Sequence, residues 1–170
     1  MKTVSRFALT TIAALTVASS LSAASNTATT SASAKANIIS PISILKTVDL
    51  NFGDVIPDTV ATGTVVVTPA GARTSTTAAL GNGAAVKAAS FTIGGAPNAT
   101  YSITLPAAPI SITGAGTPMT VDTFTSSPTA TGTLSAAGAQ TLLVGATLNV
   151  GINQAVGSYS GTFNVTVTYS

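Results

Sequence analysis

Histidine, cysteine and glutamate are all absent from this 170-residue sequence, and charged residues of every kind make up only 6% of it. Each absence closes off some chemistry. Without His or Cys there is no imidazole base and no thiol nucleophile, and most transition-metal ligand sets go with them. The acids are Asp49, Asp54, Asp58 and Asp122, so a hydrolase working through paired carboxylates would have only these four to draw on. Asp49, Asp54 and Asp58 have a spacing that resembles a calcium loop. They lack the ligand density and the closing Glu of an EF-hand, and are better placed as turn and capping residues. The expectation is therefore a protein that is not an enzyme, with no metal, no cofactor and no catalytic residue. The missing cysteine adds a structural consequence. A fold in an oxidising compartment that uses no disulfide must be held by its own core or by strands borrowed from a neighbour.

Long apolar runs are also missing. No stretch after residue 24 approaches the roughly 18 consecutive apolar residues of a spanning helix, so no stable membrane insertion is expected. Before that point the pattern differs: Lys2 and Arg6 precede a run of apolar and small residues over 7–18, and Ser22-Ala23-Ala24 supplies small residues for cleavage. Residues 1–24 read as a secretory signal peptide cut after Ala24. Its removal takes two basic residues away. What remains is Lys35, Lys46, Arg73 and Lys87 against the four aspartates, a formally neutral chain with no basic patch for nucleic acid. Its expected route is the periplasm in transit, then the cell surface or medium.

What is present in abundance is Thr, Ser, Ala, Gly and Val, arranged with a period of two. Residues 25–33 form a leader of small residues, after which Ala32, Ala34, Ala36 and Ile38 alternate with Ser33, Lys35 and Asn37. Pro41 interrupts, as an edge strand tolerates. Ile42 and Ile44 follow, and Val48, Leu50 and Phe52 alternate into a turn at Gly53-Asp54. Residues 63–68 are a β-branched run stopped by Pro69 and Gly71. Gly81-Asn82-Gly83 marks a tight turn. Residues 90–93 and 100–105 predict a hairpin across 94–99. Residues 119–125 give another strand, and 141–150 a strand pair or one strand bent at Gly145. Seven or eight short strands with regular turn punctuation predict an all-β fold, an antiparallel β-sandwich. The expected organisation is a signal peptide over 1–24, an N-terminal extension over 25–38 and one sandwich domain over 39–170.

Residues 157–170 carry the longest alternation of all. Tyr159, Phe163, Val165, Val167 and Tyr169 fall on one face and Thr162, Asn164, Thr166 and Thr168 on the other, which predicts one long terminal strand. Gly157, the β-rich tail and the penultimate Tyr169 together resemble the C-terminal signature of subunits assembled by the bacterial chaperone–usher pathway. The segments 42–54, 91–106 and 159–169, with Leu50-Asn51-Phe52-Gly53 as their most distinctive element, resemble a family of small secreted bacterial proteins of uncharacterised function. That family is similar in turn to fimbrial (pilin) and spore-coat-U-type subunits. The disulfide that joins early strands in many fimbrial subunits has no counterpart here.

The resemblance implies an immunoglobulin-like sandwich lacking one strand, whose open edge is covered first by a periplasmic chaperone and later by the extension of the next subunit. The product would be a head-to-tail polymer exported through an outer-membrane usher. On that basis Ala32, Ala34, Ala36 and Ile38 are the candidate donor strand. Gly157, Tyr159, Phe163, Val165, Val167 and Tyr169 are the candidate terminal strand and partner contacts. The alternative is a monomeric secreted adhesin or binding module, with 32–38 as the first strand of a complete sandwich.

Overall fold

The structure, a computed structural model, describes residues 26–170. The expected signal peptide and its cleavage site lie outside the described residues. The chain divides into two units. In the first, residues 26–36 carry no strand and every one is exposed. The second, Asn37–Ser170, contains all the strands.

Those strands are β1 Ser43–Val48, β2 Val55–Ile56, β3 Gly63–Val67, β4 Arg73–Thr76, β5 Ala79–Leu80, β6 Ala89–Gly94 and β7 Thr100–Thr104. They continue as β8 Ile110–Gly114, β9 Met119–Ser127, β10 Thr131–Thr133, β11 Ala139–Val150, β12 Tyr159–Ser160 and β13 Thr166–Tyr169. No helix occurs among the described residues. Every pairing is antiparallel, and the fold is an all-β sandwich-like arrangement.

The spine is β11, the bent form of the strand expected near 141–150. Its first half pairs with β6, its second half with β3, and β9 runs along the opposite edge. The bend falls at Gly145, where the ladder with β9 shifts register before Thr147. Gly is required there because an added Cβ would meet the Val67 carbonyl. Alternation does the rest: Leu142, Val144, Ala146, Leu148 and Val150 are all buried on one face. The large sheet runs β1-β6-β11-β9-β8-β12, with β3 and β4 joined to the second half of β11.

Two apolar clusters sit on this sheet. One gathers Ala89, Phe91, Ile93, Tyr101, Leu134, Leu142 and Val144. A second sheet, ordered β10-β7-β13, closes over it with Tyr101, Ile103, Val167 and Tyr169. Tyr101 is fully buried, its hydroxyl donates to Gln140 Oε1 at 2.8 Å, and burial pushes its pKa up. The other cluster gathers Val65, Ala78, Met119, Val121, Ala146, Leu148 and Val150. The small two-stranded sheet β2-β5 packs on it through Val55 and Leu80, together with Leu50 and Phe52 of the 49–54 segment and Tyr159 of β12.

Three local expectations need correction. Residues 90–93 and 100–105 are strands but not a hairpin: β6 pairs with β1 and β11, whereas β7 pairs with β10 and β13. The 95–99 connection crosses between layers, with Ala96 buried and Asn98 at φ +58°. Alternation states which face a strand buries, not which strand it pairs with. Second, residues 157–170 do not form one strand. They split into β12 on the large sheet and β13 on the second sheet, and 161–165 between them belong to neither. The period of two survives the break, because Tyr159, Phe163, Val165, Val167 and Tyr169 are all half-buried while their neighbours are exposed. Third, residues 32–38 form no strand within this chain, against the alternative that makes them the first strand of a complete sandwich; donation to a neighbour concerns a second copy.

Candidate functional site

Where the first strand runs out and the last has not begun, the molecule carries an open cleft of about 630 Å³. Its floor is one apolar face of the large sheet: half-buried Ile110 and Ile112 of β8, with buried Met119 and Val121 of β9 and Leu148 and Val150 of β11 beneath. One wall is residues 49–55, the continuation of β1, and the other is residues 156–161 with Phe163, the approach to β13.

Both walls have backbone left over. Asn51 exchanges hydrogen bonds with Lys87, 2.8 and 3.0 Å, but the Leu50 backbone makes none. Residues 161–165 make no backbone hydrogen bond among the described residues. The edge of β8 is paired with β12 at Gly114 and Thr113, Gly161 continues against the Ser111 carbonyl and Ile112 without forming a ladder, and Ile110 has no strand on that side. Exposed N–H and C=O groups along an apolar floor are the chemical definition of a place for an extended chain.

The walls are nevertheless well held. Arg73 donates to the carbonyls of Phe52 (2.9 Å), Asp54 (3.0 Å) and Gly81 (2.7 Å), tying three loop segments together. The turn at Gly81-Asn82-Gly83 leaves room for Asp54, whose Oδ2 accepts from the Ala84 N–H at 3.0 Å; a Cβ at Gly81 or Gly83 would strike it. On the other wall, Tyr159 accepts from Gln154 Nε2 at 2.8 Å and donates to the Ala155 carbonyl at 2.9 Å. Gly157 lies at φ +146°, which turns the chain into β12. Phe163 stacks at a tilt on Phe124, ring centroids 5.0 Å apart, at the seam between the two clusters.

The lining contains Asp49 and Asp54 and no Lys or Arg. Asp49 forms an exposed ion pair with Lys46 at 2.6 Å. Asp58 is a turn residue: its Oδ1 accepts from the N–H groups of Val60 (2.6 Å) and Ala61 (3.0 Å), and the first of these chiefly holds its pKa below the ordinary value. No three acidic side chains converge among the described residues. Asp122 lies apart, accepting from Asn149 Nδ2 at 2.8 Å. Ser43 and Lys46 have a Ser-x-x-Lys spacing, but Ser43 Oγ donates to the Gly94 carbonyl at 3.3 Å while Lys46 turns to Asp49.

Of the residues expected to matter, Gly157, Tyr159 and Phe163 line the cleft. Val165, Val167 and Tyr169 lie beyond it, against the closed cluster. Tyr169 serves elsewhere, because its hydroxyl accepts from the Ala96 N–H and donates to the Ser40 carbonyl, both at 2.7 Å. Ala32, Ala34, Ala36 and Ile38 are exposed, Ile38 to 95%. The cleft floor at Ile110 and Ile112 escapes notice in the sequence, although an apolar alternation between Pro109 and Gly114 was its available signal.

Residues 42–169 match the family described as a domain of unknown function, DUF4402. The chain belongs to this family. No curated protein and no solved structure matches it.

Proposed function

We propose that this DUF4402 chain is a structural subunit of an extracellular surface fibre, assembled by donor-strand exchange with the help of a periplasmic chaperone and an outer-membrane usher. One observation carries the reading: an open cleft with an apolar floor lies between the chain leaving the first strand and the chain approaching the last, with unpaired backbone at Leu50 and at 161–165. An immunoglobulin-like sandwich short of one strand would have its vacancy in that position. An extended peptide laid there would gain main-chain hydrogen bonds from its edges and bury alternate side chains in the floor. The extension 25–38, exposed throughout its described residues 26–38 and with Ala32, Ala34, Ala36 and Ile38 alternating, has the form of such a peptide. The resemblance of 42–54, 91–106 and 159–169 to fimbrial and spore-coat-U-type subunits supports the same reading. Because each copy would carry one cleft and one extension, the contact is head-to-tail and propagates.

The test is deletion of residues 26–38, with the export signal retained. Every strand lies outside the deleted segment, so the expected result is a folded subunit that no longer forms multimers on denaturing gels run without boiling. Multimers that survive the deletion would refute donation by this segment. A full-length protein that is monomeric at every concentration would favour the secreted adhesin or binding module instead.

A further inference from the structure

The direction and register of the incoming strand can be deduced from how charge and apolar exposure are distributed around the cleft. This deduction rests on the fibre reading above. At one end of the cleft, two loops are tied together by the Asn153 N–H donating to the Asp58 carbonyl at 2.9 Å. These loops, with the adjoining end of β2, expose Ile56 (56%), Val60 (82%), Ile152 (48%) and Val156 (89%). Pro57 and Val156 also line the cleft, so this apolar patch is its mouth. Four large aliphatic side chains left in water on two mutually bonded loops mark a contact surface.

The extension has a matching feature. Ile38 and Ile39 are exposed to 95% and 54%, immediately before the body that begins at β1. Three residues earlier is Lys35, the one charge between residues 26 and 45. Inside the cleft, three residues before Pro57, is Asp54, hydrogen-bonded to the Ala84 N–H but in no ion pair among the described residues; the lining holds no basic residue, and Asp49, its other acid, is already paired with Lys46. Three residues of extended chain span roughly 10 Å on either partner. One register therefore satisfies both matches.

We propose that the extension of a second copy enters the cleft parallel to residues 49–57, placing its Lys35 beside Asp54 and its Ile38–Ile39 on the patch of Val60 and Val156. The strand then runs antiparallel to residues 157–163 of the other wall. The donor's body comes to rest against the mouth, where its first residues cover the exposed aliphatic side chains. The opposite direction would put Lys35 away from Asp54 and leave the patch in water.

The chain contains no cysteine, so introduced thiols report without background. Full-length Ile38→Cys and Val156→Cys copies exported together should give a disulfide-linked dimer that reductant dissolves, whereas Ile38→Cys with Asp49→Cys should not. Asp54→Asn, which keeps an acceptor oxygen for the Ala84 N–H, should lower multimers roughly tenfold, as loss of a partly desolvated charge pair does, and Lys35→Gln should lower them as much alone and add nothing when combined with Asp54→Asn. Linkage to position 49, or to neither, while multimers still depend on the extension would overturn this register and leave the fibre reading standing. So would losses from Asp54→Asn and Lys35→Gln that simply multiply in the double variant. Linkage only within one molecule carrying both cysteines would place the chain's own extension in the cleft and overturn the proposal. An absence of extension-dependent multimers in the unmodified protein would overturn both.

Discussion

The two halves of the large sheet share β11 and β9 yet are finished differently. Around the first half of β11, the β10-β7-β13 sheet closes over Leu142, Val144, Phe91 and Ile93. Around the second half, Leu148, Val150, Met119 and Val121 face a cleft. Neither half is less apolar than the other. The difference lies in whether the β10-β7-β13 layer arrives, and that is decided by where residues 161–165 leave the large sheet to reach β13. Gly161 marks the departure: its missing Cβ lets the chain press against the Ser111 carbonyl and Ile112, after which the tail turns away. One half is sealed beneath the β10-β7-β13 sheet, and the other borders the cleft.

The comparison is broken most directly by removing volume from the closed half. Leu142 is fully buried, so Leu142→Ala should cost about 2–5 kcal/mol in denaturant unfolding through lost transfer energy and an unfilled cavity. An effect below about 1 kcal/mol would mean the half is not closed. Next in size is Tyr169→Phe, which strands the Ala96 N–H and the Ser40 carbonyl that the hydroxyl serves. The expected loss is about 1–3 kcal/mol by the same measurement, with the fold retained. In the open half the balance reverses. Ile112→Asn, on the half-buried cleft floor, should cost the isolated subunit at most about 1 kcal/mol, while multimers on unboiled gels fall by roughly tenfold. If unfolding and multimer formation suffer in proportion, the division of labour between the halves is wrong.

The smallest effect concerns acid. Asp58, at the cleft mouth, has its pKa lowered by backbone N–H groups that prefer its charged form. A depressed folded pKa contributes stability that is present above the unfolded value, about 3.9, and is lost as pH falls through the folded one. Asp58→Asn keeps an acceptor oxygen for Val60 but cannot titrate. The wild type should thus lose slightly more stability than the variant between pH 7 and pH 3, read as a shift in denaturant midpoint. An identical acid response of the two proteins would remove Asp58 from the account.

Much of this architecture was legible in the residues themselves. The alternation over 63–68, 119–125 and 141–150 marked strands that exist, and Gly145 marked the bend in β11. Half-burial of Tyr159, Phe163, Val165, Val167 and Tyr169 followed the pattern even where the strand broke. What misled was proximity in sequence. Residues 90–93 and 100–105 read as a hairpin because their connection is short, yet Tyr101 belongs to the opposite layer, where its ring packs over Gly132. Residues 32–38 have a period of two without a partner to pair with inside the chain, and remain outside the strands.

The sequence by itself determined the class of structure, the buried face of most strands and the poverty of reactive side chains, because each of these is a property of neighbouring residues: side chains alternate every two positions, and glycine or proline stops a run wherever it occurs. Tertiary structure alone decided which strand lies beside which, that the terminal run divides between two sheets, and that Ile110, Ile112, Leu148 and Val150 come together as the floor of one cleft. The reason is that a strand's face is encoded locally, whereas its partner is chosen by contacts between residues far apart in the chain, among alternatives that the same alternation satisfies equally well.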